Sequence, residues 1–511
     1  RDSGDYPLLG GGDVNLYSLF VERATALVQP RGLVGLITPS GIAADKGASA
    51  FFRTLVENEA EGGARLAALL DFENKKVFFP DVDSRFKFCA LVFGSAAQRF
   101  AQAKCAFFLH SVEELTDPER VLHLSGADFL RVNPNTGAAP IFRSRRDADL
   151  TTQIYARHPV LVNRSSGVEH KVWPVRYVTM FHMTNDSDKF ITRAELVKQG
   201  WQPAPLNRWV KGEAQVVPLY EGKMVQMYDH RAADVVMNAK NLHRPAQQEA
   251  IQDSLKAQPD RFPVPQYWVT ERDVRAALPS LPTPLPQAGE GSHGWALGFK
   301  EISAPTNMRS MIAALMPGVG FGNKVPILVP ENQPLEQAAR NAAILLSNLN
   351  AYAFDFVLRQ KLQGQTINLF IFEQLPVIAR ADFERSIGGV NIADFIRAEV
   401  LALTYTAHDM ADFARDMGYV DASGAVKPPF VWDADDRAHR MARLDALFMH
   451  LYGLSAADAD YVLSTFPIVR EKDLAAYGCF RTRDLILAYG QRIKNGELSH
   501  DNLPSELIPA L

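Results

Sequence analysis

At 511 residues and 56.6 kDa the chain is too long for one ordinary hydrophobic core, and its length implies two to four domains. Hydrophobic residues at 47% and charged residues at 22% exclude a disordered or collagen-like chain, and no uncharged apolar run reaches membrane-spanning length. The net charge of −4 argues against a nucleic-acid partner only until its distribution is read. Residues 1–139 carry 14 Lys+Arg against 17 Asp+Glu, 140–250 carry 16 against 11, 251–380 carry 11 against 10, and 381–511 carry 13 against 20. One basic segment therefore sits between acidic neighbours, and a local basic face governs phosphate binding more than the total does.

The three cysteines, Cys89, Cys105 and Cys479, are far apart and odd in number. They fit a reducing cytoplasm and offer neither a disulfide framework nor a thiolate zinc site. The opening Arg1-Asp2-Ser3-Gly4-Asp5 lacks the basic-then-apolar build of a signal peptide. It also lacks a methionine, which suggests a piece of something longer.

The first 95 residues alternate helix and strand. From Asp13 as N-cap, Leu16, Leu19, Phe20, Leu27 and Val28 share a helical face, and Pro30 with Gly32 ends the run. Leu33–Thr38 is a short apolar run expected to form a strand buried on both faces. A helix over Ala48–Glu57 comes next, then strands over Leu66–Phe72 and Phe86–Phe93, which predicts a parallel, doubly wound sheet. Three strands alone would leave an interior edge unpaired, so further strands are expected upstream of Arg1. From about Pro140 to Arg380, short strands (Val172–Met180, Gln215–Leu219, Lys223–Tyr228, Val325–Val329) alternate with loops. Residues 281–295 include a low-complexity, proline-rich loop. A helix with few charges is expected over Ala338–Leu358. After Arg380 the chain turns helical and acidic, around Ile392–Met417, Arg437–Leu451 and Ser455–Ser464.

Several motifs do not carry the chemistry they suggest. Gly318-Val319-Gly320-Phe321-Gly322 lacks the strand–loop–helix context of a phosphate-cradling loop. The histidines form no ligand-spaced cluster, so no metal is expected. Lys427-Pro428-Pro429-Phe430 is the nearest approach to the Asn/Asp/Ser-Pro-Pro-aromatic tetrad that aims an exocyclic amine at a methyl donor, but lysine offers no acceptor.

Other blocks do form a series. Asn15-Leu16-Tyr17-Ser18-Leu19-Phe20, then Pro30-Arg31-Gly32 and Leu36-Ile37-Thr38-Pro39, resemble the segment C-terminal to the catalytic tetrad in gamma-class N6-adenine DNA methyltransferases. More narrowly, the chain is similar to the large fused methyltransferases of type IIG restriction–modification and related phage-defence systems. Asp71-Phe72-Glu73-Asn74 with Phe79–Phe88 resembles the strand–loop–strand closing their catalytic sheet. Pro218–Met224, Tyr228–Arg231, Thr306–Arg309 with Pro317–Asn323, and Asn368–Val377 resemble blocks of their target-recognition domain, and Leu444–Ser455 with Thr465–Pro467 resembles their helical tail.

The resemblance implies an α/β remnant of a doubly wound methyltransferase sheet (1–139), a mixed α+β target-recognition domain (140–380) and a mostly helical C-terminal region (381–511). It implies double-stranded DNA as partner, base flipping, and S-adenosylmethionine as cofactor of the full-length parent. The family's cofactor turn and catalytic tetrad precede the Leu-Tyr-x-x-Phe helix, so no catalytic or cofactor-binding residue carries over, and the chain alone is expected to be inactive. Arg143, Arg145 and Arg146 suit phosphate contacts, with Arg164, Lys171, Arg176, Lys223 and Arg231 adding positive charge. Gly222 admits close approach of a phosphate. Arg176, Gln226, Asn323, Gln365 and Asn368 are candidate base readers. The alternative from a different class is a non-catalytic specificity or assembly subunit docking on a separate modification subunit through its acidic tail.

Overall fold

The computed structural model describes residues 4–11, 14–57, 62–236, 246–278, 294–362 and 364–504. The Asp13 cap and the 281–291 loop lie outside these described residues. The chain forms two compact units. The first comprises Arg1–Val172 with Val357–Gly364 and Phe370–Val377, and the second comprises Trp173–Phe356 with Gln365–Leu369 and Ile378–Leu511. Both mix α and β structure, in several small sheets, and the C-terminal region is helical. Among the described residues no helix is long and apolar enough to cross a membrane.

In the first unit, α1 (Leu16–Leu27), β1 (Leu33–Pro39), α2 (Ser49–Val56), β2 (Leu66–Glu73) and β3 (Lys87–Gly94) keep the expected order. Two further strands, β4 (Ala103–Leu109) and β5 (Leu122–Leu124), complete a sheet of order β1-β3-β2-β4-β5. The sheet is not parallel throughout. β3 runs antiparallel to both β1 and β2, and only β2 and β4 are parallel neighbours. The connection from β2 to β3 is a loop folded on Asn74, whose side-chain amide donates to the Phe79 and Val82 carbonyls. A hairpin-like return of that kind needs no crossover helix, so helix–strand alternation could not reveal it.

β1 is also not buried on both faces. It is the sheet edge, with Leu33 58% and Ile37 70% exposed. The apolar stripe of α1 faces outward as well: Leu16, Phe20 and Leu27 are exposed, while Ser18, Val21 and Glu22 are buried. Glu22 is held inside because its carboxylate accepts from the Leu8 and Leu9 amides. After β5 come α3 (Gly126–Val132) and α4 (Arg145–Arg157), each begun by a serine cap, Ser125 and Ser144.

The second unit holds two larger sheets. One is built from β7 (Gln202–Ala204), β8 (Arg208–Lys211), β9 (Ala214–Tyr220) and β10 (Trp268–Thr270), in the order β10-β9-β8-β7. The other has order β12-β11-β14-β6, from β6 (Val175–Val178), β11 (Trp295–Phe299), β12 (Ala313–Pro317) and β14 (Ile327–Pro330). The short β13 (Gly320–Phe321) runs parallel to the end of β9. Its Gly320 packs so closely that a Cβ there would lie 2.6 Å from Val269 Cγ2, so this glycine serves packing rather than a phosphate cradle. Tyr220, Met224, Val225 and Phe321 belong to the core between these elements.

No strand forms over Lys223–Tyr228. Gly222–Met224 is a single 3-10 turn, and Gln226 and Asp229 exchange backbone hydrogen bonds across a tight turn in which Tyr228 takes φ +56°. The expected long helix is divided into α5 (Leu335–Asn350) and α6 (Tyr352–Arg359). The Asn350 side chain hydrogen-bonds both the amide and the carbonyl of Ala313, and Ala351 becomes extended. The tail comprises α7 (Ile392–Thr404), α8 (Ala434–Leu451), α9 (Ala456–Ser464), α10 (Pro467–Tyr477) and α11 (Arg481–Lys494). A buried Glu399 joins it by pairing with Arg440, Arg443 and His500.

Candidate nucleic-acid interface

In the second unit three sequence-distant blocks meet. β9 ends at Tyr220, whose carbonyl accepts from Gly322 N–H at 2.9 Å, so Glu221–Met224 lies beside Gly322–Lys324. β11 ends at Phe299, and the chain beyond it is held by Lys300 N–H to Ile312 O and Glu301 N–H to Lys324 O. A cavity of about 310 Å³ opens between these ends. Its walls are Glu221, Gly222 and Lys223, then Lys300 and Ile302, then Gly322 and Lys324, with Met183 at one side.

The three lysines differ in their surroundings. Lys223 Nζ lies 3.1 Å from Glu221 Oε2 and donates to the Ala246 carbonyl at 2.9 Å. Lys324 Nζ lies 2.7 Å from Glu301 Oε2. Among the described residues the Lys300 ammonium has no hydrogen-bond or ion-pair partner. Burial pushes its amine down to about 8, against the opposing pull of Asp229. Among the described residues Glu221 Oε1 is buried without a hydrogen-bond partner. At Gly222 a Cβ would lie 3.9 Å from Lys300 Cγ, so the glycine leaves that wall low.

The candidate readers distribute around this place unevenly. Gln365 and Asn368 are exposed on a segment that runs along the wall, through Ser303 N–H to Gln365 O and Ile367 N–H to Glu301 O. Asn323 is committed locally: its Oδ1 accepts from Met183 N–H at 3.4 Å. Gln226 is exposed at its turn. Arg176 lies on β6 opposite Val329, and its Nε and Nη2 are buried without hydrogen-bond partners among the described residues.

Arg231 stands apart from all of these. It is 0% exposed, and its guanidinium donates to the carbonyls of Lys256, Gln258, Arg261 and Thr406 and to the Thr406 hydroxyl. Nearby, Lys256 pairs with Asp229 at 2.6 Å and His230 with Asp409 at 2.9 Å. A guanidinium so enclosed ties loops together and presents nothing to a phosphate.

In the first unit the basic candidates form two groups. Arg143, Arg145 and Arg146 are exposed at the start of α4. Arg145 donates to Pro118 O at 3.2 Å, and Arg143 lies 4.9 Å from the Phe108 ring. Lys87 Nζ lies 3.7 Å from the same ring, so two cations sit on Phe108 near the carboxyl end of β2. There Asp71 is buried. It accepts from the Ser40 hydroxyl and from Phe108 N–H, and burial raises its carboxyl, with Ser40 and Lys87 opposing. The second group is neutralised. Arg164 is bound by Glu373 and Glu169, and Lys171 lies 3.4 Å from Glu169.

The side chains that sequence reasoning missed are Lys300, Lys324 and Lys87. Each is a single lysine with no patterned neighbour, and only the pairing of strand ends brings them to a site. Phe88 stacks in an aromatic cluster with Phe72, Phe78 and Phe79, whereas Phe86 is 63% exposed. Among the described residues no group of His, Cys, Asp and Glu could hold a metal ion.

No family model and no curated protein matches the chain. Among solved structures it is similar to the type IIG restriction endonuclease BpuSI, with TM-score 0.27 and 11% identity over 80% of this chain and 48% of that one. The chain thus spans about half the length of that enzyme. A match of that size establishes neither a shared fold nor a shared activity.

Proposed function

We propose that this chain is the recognition-bearing part of a site-specific, S-adenosylmethionine-dependent N6-adenine DNA methyltransferase of the restriction–modification or phage-defence kind. The observation that carries the reading is the convergence of resembling blocks. Pro218–Met224 and Pro317–Asn323 are about 100 residues apart in sequence yet border one lysine-lined cavity, and the segment from Gln365 to Asn368, which carries two candidate readers and the first residue of the Asn368–Val377 block, runs along its wall. Phosphate contacts position a DNA-binding protein and base-edge contacts specify its sequence. Lys300 suits the first role, with Lys223 and Lys324 beside it paired to carboxylates, and the exposed Gln365 and Asn368 amides nearby suit the second. The open β1 edge, with the apolar stripe of α1 beside it, fits a catalytic sheet that continues in strands this chain does not contain. The methyl donor and the reacting groups belong to that other part, so the chain alone binds DNA without methylating it.

Binding of a fluorescent duplex, measured by anisotropy across a salt series, tests this reading. Affinity falls steeply as salt rises, as counterion release requires. A response flat in salt, or no binding at low salt, would count against it.

A further inference from the structure

We infer that the cavity between Gly222, Gly322 and the three lysines is a seat for one phosphoryl group, with Lys300 as its anchoring cation. The group would come either from a DNA backbone phosphodiester or from a free phosphomonoester. The inference stands on the cavity itself and does not need the DNA reading to be right.

Lys223 and Lys324 each have a carboxylate partner, Glu221 and Glu301, so most of their charge is compensated. Lys300 is the exception: among the described residues it is a partly buried cation with no ion-pair partner, its charge offset only by the pull of Asp229 without a direct contact. Taking a charge from water without a partner is unfavourable, and an anion entering the cavity removes that penalty. The rest of the wall favours the same ligand. Met183 and Ile302 are apolar and thin the water, which strengthens a charge-assisted hydrogen bond inside. Gly222 and Gly322 carry no side chain that would hold an oxyanion away from the backbone.

The cavity exceeds a phosphoryl group in size, leaving room for an attached sugar. Glu221 Oε1, buried without a hydrogen-bond partner among the described residues, rejects a bare anion but accepts from a sugar hydroxyl or from the P–OH of a monoester. A phosphomonoester carries such a donor, whereas an internal DNA phosphodiester has neither a P–OH nor a free sugar hydroxyl, so this oxygen favours the monoester over the backbone source and over sulfate or chloride. The depressed Lys300 amine is consistent with a lysine that becomes fully charged on meeting the anion.

Calorimetric titration of the whole chain with inorganic phosphate, at constant ionic strength, tests the inference. Saturable binding is expected. Lys300→Met should weaken it at least about tenfold, the size of one lost hydrogen bond to a charged group, and Lys300→Arg should retain most of it. The same titration with a blunt duplex lacking terminal phosphates separates the two sources. Competition between duplex and phosphate assigns the seat to backbone phosphates, and phosphate binding that the duplex does not disturb assigns it to a free monoester. Absence of saturable phosphate binding, or equal binding by wild type and a folded Lys300→Met variant, overturns the inference.

Discussion

Replacing Arg231 by methionine separates a structural arginine from a DNA contact. The side chain is fully enclosed and its two terminal nitrogens serve four backbone carbonyls and one hydroxyl. Methionine fills much of the volume but leaves these acceptors without donors, and it removes the positive charge lying among Asp229 and Asp409. Those carboxylates keep Lys256 and His230 as partners, which limits the damage. Removing one member of a buried charged network costs about 3–5 kcal/mol. Loss of that size is a large part of a typical folding free energy of about 5–15 kcal/mol. All six tryptophans lie in the second unit, at 173, 201, 209, 268, 295 and 432, so their fluorescence in a urea titration reports that unit's unfolding alone. The midpoint should fall sharply, while DNA affinity of the protein still folded at low urea stays within about twofold of wild type and its salt slope is unchanged. An unchanged midpoint combined with weaker binding and a shallower salt slope would refute the reasoning and return Arg231 to the DNA face.

Asp445 is buried and its carboxyl is pushed up to about 6 by that burial, against the pull of Arg309 and of the Tyr352 amide that donates to it at 2.8 Å. The folded chain therefore holds a proton that the unfolded chain releases between pH ~4 and ~6, so this group's contribution to stability falls as pH rises through that window and is flat above it. Urea midpoints measured from pH 4 to 7 should lose that component in Asp445→Asn, and an identical profile would remove the assignment. Gly320→Ala places a methyl against Val269 and Leu219 and should destabilise the second unit by about 1–3 kcal/mol through overpacking, read by tryptophan fluorescence. Unchanged stability with impaired phosphate binding would instead restore the glycine loop as a binding element. For Lys300, facing Lys223, Lys324, Glu221, Glu301 and Asp229, phosphate binding should weaken as pH rises through about 8 and the amine loses its charge. Constant affinity from pH 7 to 9 would exclude Lys300 as the anchoring cation.

The parts of the fold that could be read in the sequence are those set by local pattern. The β1, α2, β2 and β3 runs lie within a residue or two of the apolar segments that announced them, and the expected Ser455–Ser464 stretch is a helix over Ala456–Ser464 with Ser455 as its cap. Strand direction was not readable, because the antiparallel β3 depends on the Asn74 loop rather than on any periodicity. Alternation over Lys223–Tyr228 suggested a strand, yet the Gln226–Asp229 turn supplies those residues with hydrogen bonds of their own. Ala351 interrupts a continuous apolar helix pattern because Asn350 is drawn to the Ala313 backbone, a long-range partner invisible locally. Charge misled in the same way. Arg231 looks like a surface cation in sequence, and the carbonyls that enclose it come from loops 25 to 175 residues away. The lysine cavity was half visible, through Gly222 and Lys223, and its other half required strand ends that meet only in three dimensions.

If these two units choose a DNA sequence, the most direct measurement is selection of bound duplexes from a randomised library at moderate salt, with sequencing of the recovered DNA. A single asymmetric motif should be enriched, and substituting Gln365 and Asn368 by alanine should relax one part of that motif while leaving general duplex affinity in place. Recovery of the library unenriched, by protein that is folded and bound to it, would contradict sequence choice by this chain.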